Sequence, residues 1–284
     1  MGDCLKVNLT NETQGGPVTF HVDGLGYAPG VVGEVFPTES QTYFFFAHPE
    51  IGETVGLLRD SADVLRNPGL GLYGAIIVGP RGSTYTHPES GEDMSGASSW
   101  RVDVHPLGEA SYRDFTFMIQ DEDEVIGTAI MPYTEHVEGV VGLNYKNESL
   151  LDRLLIDADT SRLFNSDVHG DPATPLAEAF VGDPVRFHVL VPFSEQAHVF
   201  TVEGHRWPLE SKRLGSDILS AIQLGGLEAI TIILENGAGG RGGMPGDYLY
   251  GDHREPYREA GLWGLFRVYP RSSLDAGLLP LVHP

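Results

Sequence analysis

The sequence predicts an all-β protein built from two Greek-key β-sandwich units, the first lacking its opening strands. Three observations lead there: an internal duplication, short runs with strand-like alternation, and an abundance of turn residues. Each unit needs several short strands, and 36 glycines and 19 prolines in 284 residues suit tight turns better than long helices.

The duplication carries the most information. Gly2-Asp3-Cys4-Leu5-Lys6-Val7 resembles Gly182-Asp183-Pro184-Val185-Arg186-Phe187, and Phe20-His21-Val22-Asp23-Gly24 resembles Phe200-Thr201-Val202-Glu203-Gly204. The interval from the first glycine to the phenylalanine is the same in both copies, Gly2 to Phe20 and Gly182 to Phe200. Gly71-Leu72-Tyr73-Gly74 through Val78 then matches Gly261-Leu262-Trp263-Gly264 through Val268. Three matched segments in one order imply two copies of one unit.

Within each copy the segments read as strands. Lys6 to Leu9 and Arg186 to Val189 alternate polar and apolar residues, as half-buried strands do. Thr42 to Phe46 and Ile230 to Leu234 are aromatic or β-branched runs. Helices are expected only at Asn147 to Ile156 and Ser211 to Ala221. Strand-like sequence precedes the second Gly-Asp pair, from Tyr112 through Phe115-Thr116-Phe117-Met118-Ile119, whereas only Met1 precedes the first pair. The expected division is therefore 1–80 for an incomplete first unit, 81–108 for a Gly-, Ser- and Pro-rich linker, and 109–284 for the second unit. A sandwich without its opening strands exposes an unpaired edge, so the chain is expected to begin inside a domain or to be one piece of a larger assembly.

Composition limits the function classes. Forty acidic residues against 18 basic ones give a formal charge of −22, which argues against nucleic acid or an anionic membrane as partner. No apolar run approaches the roughly 18 residues of a membrane span, and Met1 to Val7 do not read as a signal peptide. A single cysteine, Cys4, excludes an internal disulfide and any Cys-x-x-Cys metal site. The glycine-rich stretch Gly237 to Gly246 has neither a P-loop lysine nor a following helix and reads as a long turn.

The motifs around these segments resemble those of the multicopper oxidases, so the two units are expected to be cupredoxin-like. The resemblance is best in the second copy, over His198-Val199-Phe200-Thr201-Val202-Glu203-Gly204-His205-Arg206-Trp207 and from Gly246-Asp247-Tyr248-Leu249-Tyr250 to Gly261-Leu262-Trp263-Gly264. Four histidine-rich motifs carry the copper ligands of that family, and here each is depleted. The first falls on His21-Val22-Asp23-Gly24 and the second on Phe45-Phe46-Ala47-His48. The third runs from His198 to His205, with Thr201 and Glu203 at cluster-ligand positions. The fourth falls on Gly251-Asp252-His253 with Tyr257.

The resemblance places a type 1 copper at His198, Asp252 and Tyr257, but Asp252 stands where the family has cysteine. A blue-copper site needs a thiolate, so no type 1 copper is expected. It would also gather His21, Asp23, His48, Glu203 and His253 at an interface between units, as an altered mono- or dinuclear site for copper, zinc, iron or manganese. The competing and favoured reading is a degenerate site whose histidines form hydrogen bonds and whose acids face solvent. Function is accordingly expected to be that of a structural or assembly cupredoxin module, the alternative being a metal-dependent oxidoreductase using the altered site. Partners are expected to be other cupredoxin chains or further copies of this one, and the family implies a periplasmic or extracellular location.

Overall fold

The computed structural model describes residues 1–27, 33–64, 66–121, 141–194, 196–273 and 276–281. Strands dominate it. Residues 1–80 hold β1 (Cys4–Thr10), β2 (His21–Val22), β3 (Gly26–Tyr27), β4 (Ser40–Phe46), β5 (Thr54–Arg59), the helical turn α1 (Arg66–Gly69) and β6 (Tyr73–Val78). Then follow β7 (Thr84–Thr86), β8 (Arg101–His105), β9 (Tyr112–Gln120) and β10 (Gly142–Leu143), with short helices α2 (Leu150–Ile156) and α3 (Ser166–His169). The remainder comprises β11 (Ala177–Phe180), β12 (Val185–Phe193), β13 (His198–Val202), β14 (Trp207–Pro208), β15 (Ile218–Leu219), β16 (Ala221–Leu224), β17 (Ala229–Ile233), β18 (Gly246–Asp252), α4 (Glu255–Ala260) and β19 (Trp263–Tyr269).

The matched segments take matching places in the sheets. β1 pairs antiparallel with β4, as β12 does with β17. β2, β5 and β6 form one sheet in that order, as β13, β18 and β19 do within a larger one. Even a cross-strand contact repeats: Thr42 Oγ1 donates to Asn8 Oδ1 at 2.9 Å, and Thr231 Oγ1 lies 2.8 Å from His188 Nδ1. The later strands have more neighbours. Their sheets run β17-β12-β9-β8-β7, with β10 beside β9, and β11-β19-β18-β13-β16.

Two expectations are corrected. The stretch 81–108 carries β7 and β8, which pair with each other and extend the sheet through β9. Its glycines and serines sit in the connecting turns, and its strands are short enough to escape a composition reading. Ser211 to Ala221 is a turn leading into β15 and the start of β16, not a helix, with Gly215 punctuating it. The helix expected at Asn147 to Ile156 is present as α2, capped by Ser149, whose Oγ accepts from the Asp152 amide.

The larger core is an aromatic stack between the two later sheets. Phe117 lies 5.4 Å from Phe187 and 4.4 Å from Tyr250, ring centroid to centroid. Phe115, Phe200 and Phe266 surround them, all fully buried. Burial of this apolar surface is the main stabilising term. A smaller core packs around Val18, Val22, Tyr43 and Phe45.

One contact between these parts bears on the site described next. Gln120, at the end of β9, accepts from Tyr73 Oη at 2.7 Å and donates to the Gly69 carbonyl at 2.5 Å. Tyr73 and Gly69 thus brace the strand end that carries Asp121. No helix among the described residues is long and apolar enough to cross a membrane.

Candidate functional site

His198 opens β13, and the strand's alternation sends His198, Phe200 and Val202 inward. β18 ends at Asp252, in register with Phe200. Gly251 precedes Asp252 with φ of +131°, and a β-carbon there would lie 2.3 Å from the Leu262 carbonyl oxygen. Only glycine allows β18 and the chain before β19 to approach this closely. The chain then turns into α4, where Pro256 in the first turn suits a helix start and Tyr257 is buried.

These elements bring together the positions that the motif resemblance assigns to type 1 copper ligands. His198 Nδ1 lies 2.5 Å from Asp252 Oδ2. Tyr257 packs its ring edge-on to the imidazole, with centroids 4.8 Å apart. Asp252 Oδ1 accepts from the amides of Val199 at 3.1 Å and Arg254 at 2.9 Å, which fixes the carboxylate's orientation. The other ring nitrogen is engaged as well: His198 Nε2 lies 3.0 Å from Asp121 Oδ1 and 3.0 Å from Ser194 Oγ. His198, Asp121 and Asp252 all have side chains without solvent exposure.

Burial by itself lowers the His198 pKa, but the hydrogen bonds and negative charges of Asp121 and Asp252 outweigh it and push the value up to about 9. At neutral pH the ring is therefore an imidazolium donating from both nitrogens, each to a carboxylate. Cys4, the one cysteine of the sequence, is exposed on β1.

Asp121 has no counterpart among the ligand motifs, and sequence reasoning missed it. It follows β9 directly, where a shift in register between Leu190 and Phe193 lets the Asp121 amide donate to the Phe193 carbonyl. The available signal was an acid at the end of an apolar strand, which is ordinary at strand ends.

The five residues expected to share an interface site are placed as follows. His21 Nε2 lies 2.9 Å from Asp23 Oδ1, and Arg59 reaches the same oxygen at 3.3 Å. His48 Nδ1 accepts from the Glu50 amide, His253 Nδ1 accepts from Arg258 Nη2 at 3.0 Å, and Glu203 is exposed. The fold brings His21 and Asp23 together. Among the described residues no group of three or more histidine, cysteine or acidic side chains is arranged to hold a metal ion.

His205 has a structural place. Burial lowers its pKa, its Nδ1 donates to the Glu203 carbonyl at 2.8 Å, and its Nε2 accepts from the Gly239 amide at 3.0 Å. A neutral ring thus holds the glycine-rich turn.

No protein-family model matches the sequence, and no curated protein matches it in sequence. Solved structures do match in fold. A blue copper oxidase from Nitrosomonas europaea aligns with a TM-score of 0.58 and 17% identity, over 95% of this chain and 74% of that one. A copper nitrite reductase from the same organism aligns at 0.58 and 15%, over 97% and 83%. A laccase from Botrytis aclada gives 0.58 and 17%, over 99% of this chain and 48% of its own. The chain therefore has the cupredoxin-type β fold of the multicopper oxidases and copper nitrite reductases, as its motifs imply.

Proposed function

We propose that this chain is a multicopper-oxidase-like protein without a type 1 copper site, acting as a structural or assembly cupredoxin module. The carrying observation is the commitment of both His198 ring nitrogens to buried carboxylates, Asp252 on one side and Asp121 on the other. A copper ion at that position would have to displace Asp252 from Nδ1. It would find a hard carboxylate and a phenol in place of thiolate and imidazole, a donor set that does not fit blue copper. What the residues do instead is hold a proton: the imidazolium ties the start of β13 to the ends of β9 and β18. In this reading the units span 1–80 and 109–284, with 81–108 lending its strands to the second. The partners are other cupredoxin chains or further copies of this one, outside the cytoplasm.

Metal analysis of protein purified without chelators tests this, together with copper titration followed by visible absorption. The expected result is no stoichiometric metal and no intense copper–thiolate band. Copper held at one equivalent, and lost on His198→Ala, would overturn the reading.

A second reading keeps a metal-dependent oxidoreductase, with His21, Asp23, His48, Glu203 and His253 joined across an interface between chains. The hydrogen-bonded pair of His21 and Asp23 favours it, because both side chains are partly exposed and face each other at 2.9 Å. Copper, zinc, iron or manganese retained by an oligomer and released by Asp23→Ala or His253→Ala would support it. A metal-free monomer would end it.

A further inference from the structure

A cavity of about 400 Å³ has walls drawn from both later sheets, and none of its lining residues belongs to the His198 site. Trp100, just before β8, forms an aromatic wall, backed by Phe115 and Phe117 at 6.0 Å and 6.3 Å between ring centroids. Pro172 and Pro175 add apolar surface. Arg101, at the start of β8, and Glu178, on the edge strand β11, tie the two sheets together beside it at 3.0 Å. Two further polar residues line the space, Lys146 and Thr174.

The walls are held in place. Lys146 follows a tight turn in which Asn144 and Tyr145 take φ of +50° and +62°, a left-handed conformation that a tyrosine seldom adopts. The Tyr145 ring stacks on Tyr73 with centroids 4.8 Å apart, and Asn144 bridges the Met118 amide and the Thr116 carbonyl. On the other side, the Pro175 carbonyl accepts from buried Tyr250 Oη at 2.5 Å. The polar groups are less evenly matched. Arg101 is engaged by Glu178 and Glu89, and Glu178 also accepts from Tyr269. Lys146 is exposed and forms no ion pair among the described residues, in a chain of formal charge −22. Thr174 is 2% exposed, and its hydroxyl has no hydrogen-bond partner among them. An unpaired buried hydroxyl costs stability, so its retention beside a cavity points to a partner that is bound rather than built in.

We propose that this cavity binds a small carboxylic acid with a flat apolar body. The body lies against Trp100 and the two prolines, which offer flat apolar surface and lose little freedom on contact. The carboxylate meets the Lys146 ammonium, the one cation of the lining that no acid neutralises, and Thr174 donates its hydroxyl to the same ligand. Arg101 and Glu178 cancel each other, so the lining carries one net positive charge, which suits a monoanion and disfavours a cation. The rigid turn before Lys146 means that little is ordered on binding. None of this depends on His198, so failure here and failure of the assembly-module reading are separate outcomes.

The test titrates the whole chain with 2-naphthoate and follows the indole N–H signals by NMR. Trp207 and Trp263 are fully buried, so the Trp100 signal should shift saturably while theirs stay in place. The neutral probe 2-naphthalenemethanol should bind about tenfold more weakly, because it keeps the flat body and loses the charge. Lys146→Met, at an exposed position, should weaken naphthoate by about the same factor with an unchanged unfolding midpoint. Thr174→Val should weaken binding while leaving the free chain as stable or more so, whereas a purely structural hydroxyl would cost stability when removed. No saturable shift of Trp100 up to about 10 mM naphthoate would overturn the proposal. Equal binding of acid and alcohol, or full affinity in Lys146→Met, would overturn it as well.

Discussion

His198 Nδ1 and Asp252 Oδ2 lie 2.5 Å apart with no solvent exposure on either side chain. In the resembling motifs those two positions belong to an imidazole and a thiolate on one copper ion. Here they hold one proton between them, and Asp121 holds the other ring proton from the opposite side.

Stability should depend on that proton. The His198 pKa is raised to about 9 in the folded chain from 6.5. A raised histidine stabilises fully below the unfolded value and loses its contribution as pH rises through the folded one. Denaturant unfolding should thus show roughly 3 kcal/mol lost between about pH 6.5 and pH 9. His198→Gln should flatten that slope. An unchanged slope in the variant would assign the loss to other groups.

The site geometry predicts that two substitutions rebuild a soft ligand set. Asp252→Cys with Tyr257→His restores two imidazoles and a thiolate around one position, while Asp121 stays as the hydrogen-bond partner that orients His198. Copper addition should produce an intense visible absorption in this variant and none in the parent. A colourless, metal-free variant that remains folded would mean that the site residues do not converge as described.

Gly251→Ala should cost about 2–4 kcal/mol. Its φ of +131° disfavours any other residue, and the added carbon would collide with the Leu262 carbonyl. Because Asp252 follows directly, the variant should also lower the His198 pKa, readable by NMR titration of the ring.

Arg113 is fully buried between Asp103 and Asp183, at 2.8 Å and 2.9 Å. Burial, opposed by the Arg113 charge, pushes the Asp103 carboxyl up to about 6. Arg113→Met would strand two buried carboxylates, at a cost of about 3–5 kcal/mol. The Asp103 carboxyl then rises further, so the variant should lose more stability at alkaline than at acidic pH. Equal loss at both would point to packing instead.

Much of this was legible in the sequence. The Gly-Asp and Phe-x-Val-x-Gly repeats exposed the duplicated strands, because turns and inward alternation constrain residue type tightly. The motif positions of Asp252 and Tyr257 located their meeting with His198. Asp121 stayed hidden because its role depends on a register shift in β12 that no local pattern announces. β7 and β8 hid among turn residues, and Ser211 to Ala221 had enough apolar residues to suggest a helix. The partners of His48, Glu203 and His253 depend on side-chain direction at exposed positions, which periodicity does not encode.

Under the proposed function, His198 is a carboxylate-bound imidazolium and not a copper ligand. Nitrogen NMR of the His198 ring, recorded across the pH range with and without copper, tests it most directly. Both nitrogens should stay protonated up to about pH 9, with no change on adding copper. A ring with one bare nitrogen at neutral pH, or a His198 signal broadened away by stoichiometric copper, would contradict it.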